Sequence, residues 1–109
     1  MINKIQQFLI TNKKTLSVCE SITGGALSSK LISKAGSSNF FKGSLVVYND
    51  EIKSKILGID INKIKELSAV SDKISYEMAK STKKIFNSDY VISTTGNAGP
   101  ENYDEISKT

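Results

Sequence analysis

Short apolar runs of β-strand type alternate with stretches of helical periodicity along this chain. The strand-like runs are predicted at residues 15–20, 44–48 and 90–93. Apolar side chains recur at helical spacing around them and predict helices over residues 2–13, 23–34, 51–57, 60–67 and 71–86. Strands that alternate with helices favour a sheet covered by helices on both faces. We therefore expect an α/β fold with three α/β/α layers around a mixed, largely parallel sheet.

The length and composition indicate one globular domain. The 109 residues include 39% apolar and 24% charged side chains, which is ordinary for a soluble protein. We expect the domain to occupy residues 1–100 and residues 101–109 to be a polar tail. No apolar run approaches the ~20 residues that a membrane span needs, and the first residues lack the pattern of a signal peptide. A cytoplasmic protein without a membrane contact is expected.

The cysteine, histidine and lysine content argues against several kinds of site. One cysteine, Cys19, and no histidine leave too few ligands for a structural zinc site within one chain. The net charge of +4 comes from lysines spread along the chain, without the clustering on one face that is typical of nucleic-acid binders. We expect no metal and no nucleic-acid partner. Cys19 lies in the first predicted strand, where burial is expected rather than reactivity.

The first predicted strand runs directly into the sequence Cys-Glu-Ser-Ile-Thr-Gly-Gly at residues 19–25. Ser21 would follow the strand, and Thr23 would cap the next helix. Gly24 and Gly25 would let a substrate oxygen approach unpaired N–H groups, which could hold a phosphate or an oxyanion. In the alternative interpretation, Ser21 is a turn serine that caps the helix. If Ser21 is a nucleophile, a lysine or a tyrosine has to activate it, because the chain has no histidine.

Two further candidates follow from the second strand. Tyr48 is predicted at its end, where the phenol could relay a proton or simply lie in water. Asp50 is the predicted cap of the next helix, which would place Lys53 in the first helical turn. The helix dipole disfavours a positive charge there and so favours a general-base role, whereas the alternative is an ordinary exposed lysine. Glu20 either orients Lys53 or faces solvent.

The third strand leads into a loop that begins with Thr95, Gly96 and Asn97 and contains a second glycine and a proline. Such a loop could line a ligand pocket or be a plain turn. In open α/β sheets, ligands bind at the carboxyl ends of the strands. Ser21, Tyr48 and Thr95 are therefore expected to converge on one edge if their strands are parallel.

Six segments resemble, in order, the motifs of one family. They are Glu20-Ser21-Ile22-Thr23-Gly24-Gly25 (E-S-x-T-G-G), residues 36–43 (G-S-S-x-x-F-x-G), residues 48–53 (Y-S-N-E-x-K), residues 57–59 (L-G-V), residues 69–71 with 77–79 (A-V-S and E-M-A), and residues 95–100 (T-G-I-A-G-P). These motifs are similar to those of the C-terminal domain of the competence/damage-inducible protein CinA, the nicotinamide-nucleotide amidohydrolase family. The resemblance covers about residues 5–100.

The resemblance implies hydrolysis of the carboxamide of nicotinamide mononucleotide to nicotinate mononucleotide and ammonia. The reaction belongs to pyridine-nucleotide salvage and needs no organic cofactor. Ser21 would be the nucleophile, and Lys53 and Tyr48 would have the activating and proton-transfer roles. A homo-oligomer is also implied. The substrate-binding residues that the resemblance implies are Thr23, Gly24, Gly25, Thr95, Gly96 and Asn97.

The chain departs from the family pattern at several positions. Asn49 and Asp50 stand where the family usually has Ser and Asn, and Asp50 adds negative charge close to Lys53. Asn97 replaces an apolar residue. The family continues with a Gly-rich loop, further strands and a closing helix, none of which is indicated in residues 101–109, so we expect a domain shortened at its C-terminus. The alternative function is therefore a catalytically degenerate nucleotide-binding or interaction module.

Overall fold

The structure is a computed structural model that describes residues 2–21, 23–33, 35–67 and 71–95. The expected tail at 101–109 lies outside these ranges. A 3₁₀ turn, Ser37–Asn39, lies between the second helix and the second strand. The other elements are α1 (Ile2–Thr11), β1 (Leu16–Glu20), α2 (Ala26–Leu31), β2 (Phe41–Val46), α3 (Asp50–Leu57), α4 (Ile61–Leu67), α5 (Asp72–Phe86) and β3 (Tyr90–Ser93). The predicted α/β class is confirmed.

The strands form a parallel sheet in the order β2-β1-β3. β1 pairs with both neighbours, and Cys19 lies opposite Leu45 of β2 and Ser93 of β3. Every residue of β1 is buried, as expected of a central strand that is covered on both faces. Because the strands are parallel, their carboxyl ends at Glu20, Val46 and Ser93 lie at the same edge of the sheet. The predicted site residues Ser21, Tyr48 and Thr95 follow these strand ends in the chain.

Apolar side chains cover the sheet on both faces, and β1 alternates between the two. Leu16 and Val18 belong to the core formed with α1 and α2, which contribute Leu9 and Leu31. Cys19 belongs to the opposite core, whose other buried members are Val47, Leu57, Ile59, Ile64, Ile74 and Met78. The predicted burial of Cys19 is confirmed, and the strand separates a face covered by α1 and α2 from one covered by α3, α4 and α5.

The second strand begins earlier than predicted. The sequence predicts a strand over residues 44–48, directly after Gly43, whereas β2 runs Phe41–Val46 with Gly43 inside it. A Cβ atom at Gly43 would lie 2.6 Å from Cε1 of Phe86. The glycine therefore reflects the close approach of an aromatic ring of α5, not the end of a strand. The strand also ends earlier, so Tyr48 lies two residues beyond β2 instead of at its end.

Local capping explains the helix boundaries. Ser71 caps α5, accepting the N–H three residues later at 3.2 Å, and Gly58 ends α3 with a φ of 72°. The predicted cap at Asp50 is wrong, because Asn49 accepts the N–H three residues later at 2.8 Å and Asp50 is the first residue of α3. α1 and α2 both end earlier than predicted.

Candidate functional site

Ser21 follows β1 directly and is buried, with 3% of its surface exposed. Its carbonyl accepts the Gly24 N–H at 3.3 Å, which closes a tight turn. Ser17 and Cys19 point to the face of the sheet that α5 covers, since Ser17 Oγ lies 2.7 Å from Oγ of Ser88 just after that helix. Ser21 is the first residue after β1, so continuing the alternation of the strand predicts that its side chain faces the side of the sheet that carries α3 and α5.

Lys53 lies in α3 on that face and is only 2% exposed. The alternative interpretation of the sequence, in which Lys53 is an ordinary exposed lysine, is therefore wrong. The Lys53 ammonium lies 3.7 Å from a carboxylate oxygen of Asp50, one turn earlier in the helix. Burial raises the pKa of the Cys19 thiol, and the positive charge of Lys53 acts more weakly in the opposite direction. This influence indicates that Lys53 lies on the same side of the sheet as Cys19, which is two residues before Ser21 in the chain.

Tyr48 lies in the connection between β2 and α3 and is 67% exposed. The structure does not bury its phenol with Ser21 and Lys53. The ring is instead exposed two residues after β2. This exposure agrees with the alternative interpretation of the sequence, in which the phenol lies in water.

The N–H groups of Gly24 and Gly25 are already paired. Gly24 N donates to the Ser21 carbonyl at 3.3 Å, and Gly25 N donates to Glu20 Oε1 at 3.1 Å. The two glycines have φ values of 60° and 104°, which other residues adopt at a cost. The glycines thus serve the turn, and the expectation of unpaired donors at these positions is wrong for this conformation.

Thr23 does not cap α2 as predicted. The N-cap position is held by Gly25, which has no side chain to offer. Thr23 Oγ1 instead donates to Glu20 Oε1 at 2.5 Å and lies 3.1 Å from Oγ1 of Thr94. Thr23 therefore ties the turn to the carboxyl ends of β1 and β3.

Glu20 supplies the cap that α2 otherwise lacks. Its carboxylate accepts the N–H groups of Gly25 at 3.1 Å, Leu27 at 3.0 Å and Ser28 at 2.9 Å. It also accepts the hydroxyls of Thr23 and Ser28. The residue is fully buried. The sequence suggests that Glu20 either orients Lys53 or faces solvent, and neither role applies. The carboxylate is buried, and its oxygens bind the first turn of α2 and the turn before it, not α3.

These hydrogen bonds keep Glu20 ionised. Burial raises the pKa of its carboxyl, but the hydroxyls of Ser28 and Thr23 and the N–H groups of Ser28 and Leu27 together lower it more. The pKa therefore lies below its usual value of 4.5. The N-terminus of α2 already holds an anion that belongs to the protein itself, so a substrate phosphate is not expected there.

Thr95 is the described residue that reaches this edge from β3. It is fully buried, and the preceding Thr94 N donates to the Cys19 carbonyl at 2.9 Å, which extends the pairing of β1 with β3. Gly96 and Asn97 lie outside the described residues. Thr95 thus lies at the same edge of the sheet as the turn that contains Ser21.

Sequence reasoning missed the roles of Glu20 and Ser28. The available signal was that α2 begins after two glycines, so no side chain at the usual position could cap it. Another acceptor had to reach the orphan N–H groups. Glu20 is the one acidic residue before Asp50 in the sequence, so it was the best candidate for the acceptor that caps α2.

Neither a metal site nor a membrane-spanning helix is found within the described ranges. No three carboxylate or thiol groups there lie close enough together to hold a metal ion. Of the described helices, none is long and apolar enough to cross a membrane. A cavity of about 390 Å³ beside α5, lined in part by Lys80, Ser81 and Lys84, contains none of the predicted site residues.

Comparison with known sequences points to one family. The sequence matches the model of the CinA C-terminal domain over residues 1–108. A CinA-like protein of Flavobacterium psychrophilum is 48% identical over 97 residues, and a CinA-like protein of Fervidobacterium nodosum is 42% identical over 100 residues. These matches cover 88% and 92% of this chain. They cover only 23% and 24% of the relatives, so the chain spans about a quarter of their length.

Comparison with solved structures agrees. The competence or damage-inducible protein from Enterobacter asburiae matches with a TM-score of 0.89 at 36% identity, over 94% of this chain and 65% of that chain. A CinA superfamily protein from Escherichia coli matches with a TM-score of 0.88 at 33% identity, over 94% and 60% of the two chains. The fold and the sequence motifs therefore agree, and the chain belongs to the CinA C-terminal domain family.

Proposed function

We propose that this domain hydrolyses the carboxamide of nicotinamide mononucleotide to nicotinate mononucleotide and ammonia, in pyridine-nucleotide salvage. The observation that supports this most is that Ser21, directly after β1, and Lys53 in α3 are both buried, with 3% and 2% of their surfaces exposed. A hydroxyl and an amine in one site can hydrolyse an amide through an acyl-enzyme without histidine. Membership of the CinA family supports the same class of reaction.

In the proposed reaction, Ser21 Oγ attacks the amide carbon while the amine of Lys53 takes the hydroxyl proton. The C–N bond then breaks, the proton passes to the departing nitrogen, and ammonia leaves. Water attacks the acyl carbon next, the ester bond to Ser21 breaks, and the serine regains a proton as the carboxylate product forms. Tyr48 is proposed to pass protons between Lys53 and the leaving group from its position at the solvent side.

The negative charge that develops on the carboxamide oxygen needs a hydrogen-bond donor. Gly24 N–H is the proposed donor, because its bond to the Ser21 carbonyl is 3.3 Å long and easily exchanged for a substrate oxygen. Gly25 N–H is held by the Glu20 carboxylate at 3.1 Å, so its proposed contribution is the shape of the turn.

The remaining contacts to the substrate are proposed for Thr23 and Thr95, together with Gly96 and Asn97 in the following loop. The reaction as written consumes only water and the nucleotide, and no organic cofactor or metal takes part. A homo-oligomer in the cytoplasm is proposed as the working form.

The test is to incubate the purified protein with nicotinamide mononucleotide and measure ammonia. Ser21→Ala and Lys53→Ala are expected to abolish release, and Tyr48→Phe to reduce it. Matched controls are Ser29→Ala and Lys55→Ala, which change exposed residues of α2 and α3, and Tyr76→Phe, whose ring is 64% exposed. Undiminished ammonia release by Ser21→Ala would remove the nucleophile from the proposal.

A second candidate function is a nucleotide-binding or interaction module that has lost turnover. It is favoured by the pairing of the Gly24 and Gly25 N–H groups inside the turn, which leaves neither of them free to bind an oxyanion unless a bond of the turn is exchanged. Calorimetric titration with the nucleotide separates the two candidates. Binding without ammonia release favours the module, and binding with release favours the hydrolase.

A further inference from the structure

Glu20 connects two elements through different parts of the same residue. Its backbone belongs to β1, and its carbonyl accepts Val47 N at 2.9 Å, which ties the end of the strand to the chain after β2. Its side chain lies on the other face of the sheet and accepts Ser28 N at 2.9 Å. Ser21 is the next residue along the chain. The proposed nucleophile therefore lies between a strand end that is paired and a turn that the preceding side chain holds.

We infer that Glu20 is a positioning residue, which fixes the turn presenting Ser21 by binding the chain between Thr23 and Ser28. This inference rests on the proposed function of Ser21 as the nucleophile. Without the carboxylate, the turn would keep the bonds from Gly24 N to Ser21 O at 3.3 Å and from Ala26 N to Thr23 O at 3.0 Å. The turn contains two glycines, which restrict the backbone least of all residues. The hydrogen bonds of the Glu20 side chain therefore restrict this turn, which its two glycines leave flexible.

The chemistry of the pocket around Glu20 calls for a carboxylate. Every group that binds it is a donor: three N–H groups and two hydroxyls. An ionised carboxylate only accepts hydrogen bonds and offers about four acceptor sites. Glutamine has the same size, but its NH₂ group would face at least one donor. Aspartate is one methylene shorter and would reach fewer of the five groups.

Glu20→Gln is the direct test, with ammonia release from nicotinamide mononucleotide as the first readout. A nucleophile displaced by 1 Å can lower the rate by about 100-fold, so we expect kcat to fall by about that factor while KM changes by less than about threefold. The control is Glu66→Gln, which alters an exposed carboxylate of α4 and is expected to leave both constants unchanged. A kcat within about twofold of the unsubstituted protein would overturn the inference.

A second readout does not depend on turnover. Amide hydrogen exchange in Glu20→Gln is expected to speed up at Gly25, Leu27 and Ser28 and to stay unchanged at Met78 in the core. The amide resonance of Ser21 is expected to move. If the unsubstituted protein releases no ammonia, the proposed function fails, yet these signals still decide whether Glu20 holds the turn. Unchanged exchange and an unmoved Ser21 resonance would refute the inference.

A milder variant keeps the test valid if Glu20→Gln does not fold. Ser28→Ala removes one hydroxyl donor but leaves the 2.9 Å bond from its N–H to Glu20. We expect a fall in kcat of severalfold, with faster exchange limited to the start of α2. A structural role of Glu20 without positioning would lower the melting temperature of Ser28→Ala but leave its kcat and the Ser21 resonance unaltered, and that result would also overturn the inference.

Discussion

Glu20 and Ser28 are joined by two hydrogen bonds, because the carboxylate accepts both the backbone N–H of Ser28, at 2.9 Å, and its hydroxyl. The pair links the end of β1 to the first turn of α2. It replaces the cap that Gly25 cannot provide. Both residues are buried, with 0% and 7% of their surfaces exposed, so water competes little for these bonds.

Stability is expected to fall in acid because of this pair. Burial raises the pKa of Glu20, but the donors from Ser28, Thr23 and Leu27 outweigh it and hold the pKa below 4.5 in the folded protein. A carboxyl with a lowered folded pKa stabilises the protein above its unfolded pKa, and this contribution is lost as the pH falls through the folded pKa. Asp89, which binds Thr15 N at 2.8 Å, acts in the same direction.

The measurement is the free energy of unfolding by urea between about pH 6 and pH 3. The unsubstituted protein should lose stability below about pH 4.5, and Glu20→Gln should be less stable at pH 6 but show a shallower loss. Asp89→Asn serves as a comparison for a carboxylate at the surface. Equal acid slopes in Glu20→Gln and the unsubstituted protein would contradict the assignment.

Cys19 is expected to resist thiol reagents while the protein is folded. The side chain is fully buried in the core formed with Ile74 and Met78. Burial raises the pKa of its thiol, and the neighbouring Thr82 hydroxyl and the charge of Lys53 offset only part of this effect. The reactive thiolate is therefore scarce as well as inaccessible. A disulfide reagent should label one thiol at once in denaturant and react at the rate of unfolding without it; rapid labelling in buffer would disprove the burial.

The parts of the fold that could be predicted from the sequence depend on neighbours in the chain. The predicted helices over residues 51–57 and 71–86 agree closely with α3 and α5, because the capping at Gly58 and Ser71 acts within one turn. Cys19 was predicted to be buried because it lies in an apolar run. The alternation of strands and helices follows from the same local patterns, and the α/β class was confirmed.

The parts that could not be predicted depend on contacts between distant segments. The sequence predicts a strand that begins after Gly43, whereas the role of this glycine depends on Phe86, 43 positions later, which no local pattern indicates. The sequence leaves Glu20 between two roles, because it predicts Thr23 as the cap of α2, whereas the helix begins after Gly25. The burial of Lys53 likewise depends on how α3 packs.

Gly43→Ala is expected to destabilise the protein through the ring of Phe86. The new Cβ would lie 2.6 Å from Cε1 of that ring, so either the ring or the strand has to move. We expect a loss of about 1–3 kcal/mol in the free energy of unfolding, the usual cost of overpacking. The measurement is urea unfolding of Gly43→Ala, Phe86→Leu and the double variant. If Phe86→Leu relieves the clash, the double variant should lose less stability than the sum of the two single losses. Strictly additive losses would contradict the proposed clash.

Thr82→Val is expected to stabilise the protein. The Thr82 hydroxyl is buried and, among the described residues, has no hydrogen-bond partner, although it lies near the Cys19 thiol. Valine has nearly the same shape and removes the unpaired polar group, so the free energy of unfolding should rise by about 1 kcal/mol. Thr82→Ala is the control, because it removes the hydroxyl but also leaves a cavity and should destabilise. A loss of stability in Thr82→Val would show that the thiol contact is a genuine hydrogen bond.

Lys53→Met is expected to separate stability from activity. Lys53 is 2% exposed, and its ammonium is 3.7 Å from a carboxylate of Asp50 whose side chain is 46% exposed. Burying this charge is costly, and the partly solvated Asp50 offsets only part of the cost, so an apolar side chain of similar length should leave stability unchanged or raise it. Ammonia release should disappear, because no amine remains to accept the Ser21 proton. Thermal unfolding and ammonia release are measured on the same preparation, with Lys55→Met, an exposed lysine of α3, as the control. A destabilised Lys53→Met that still turned over substrate would mean that this lysine is kept for the fold and that the base lies elsewhere.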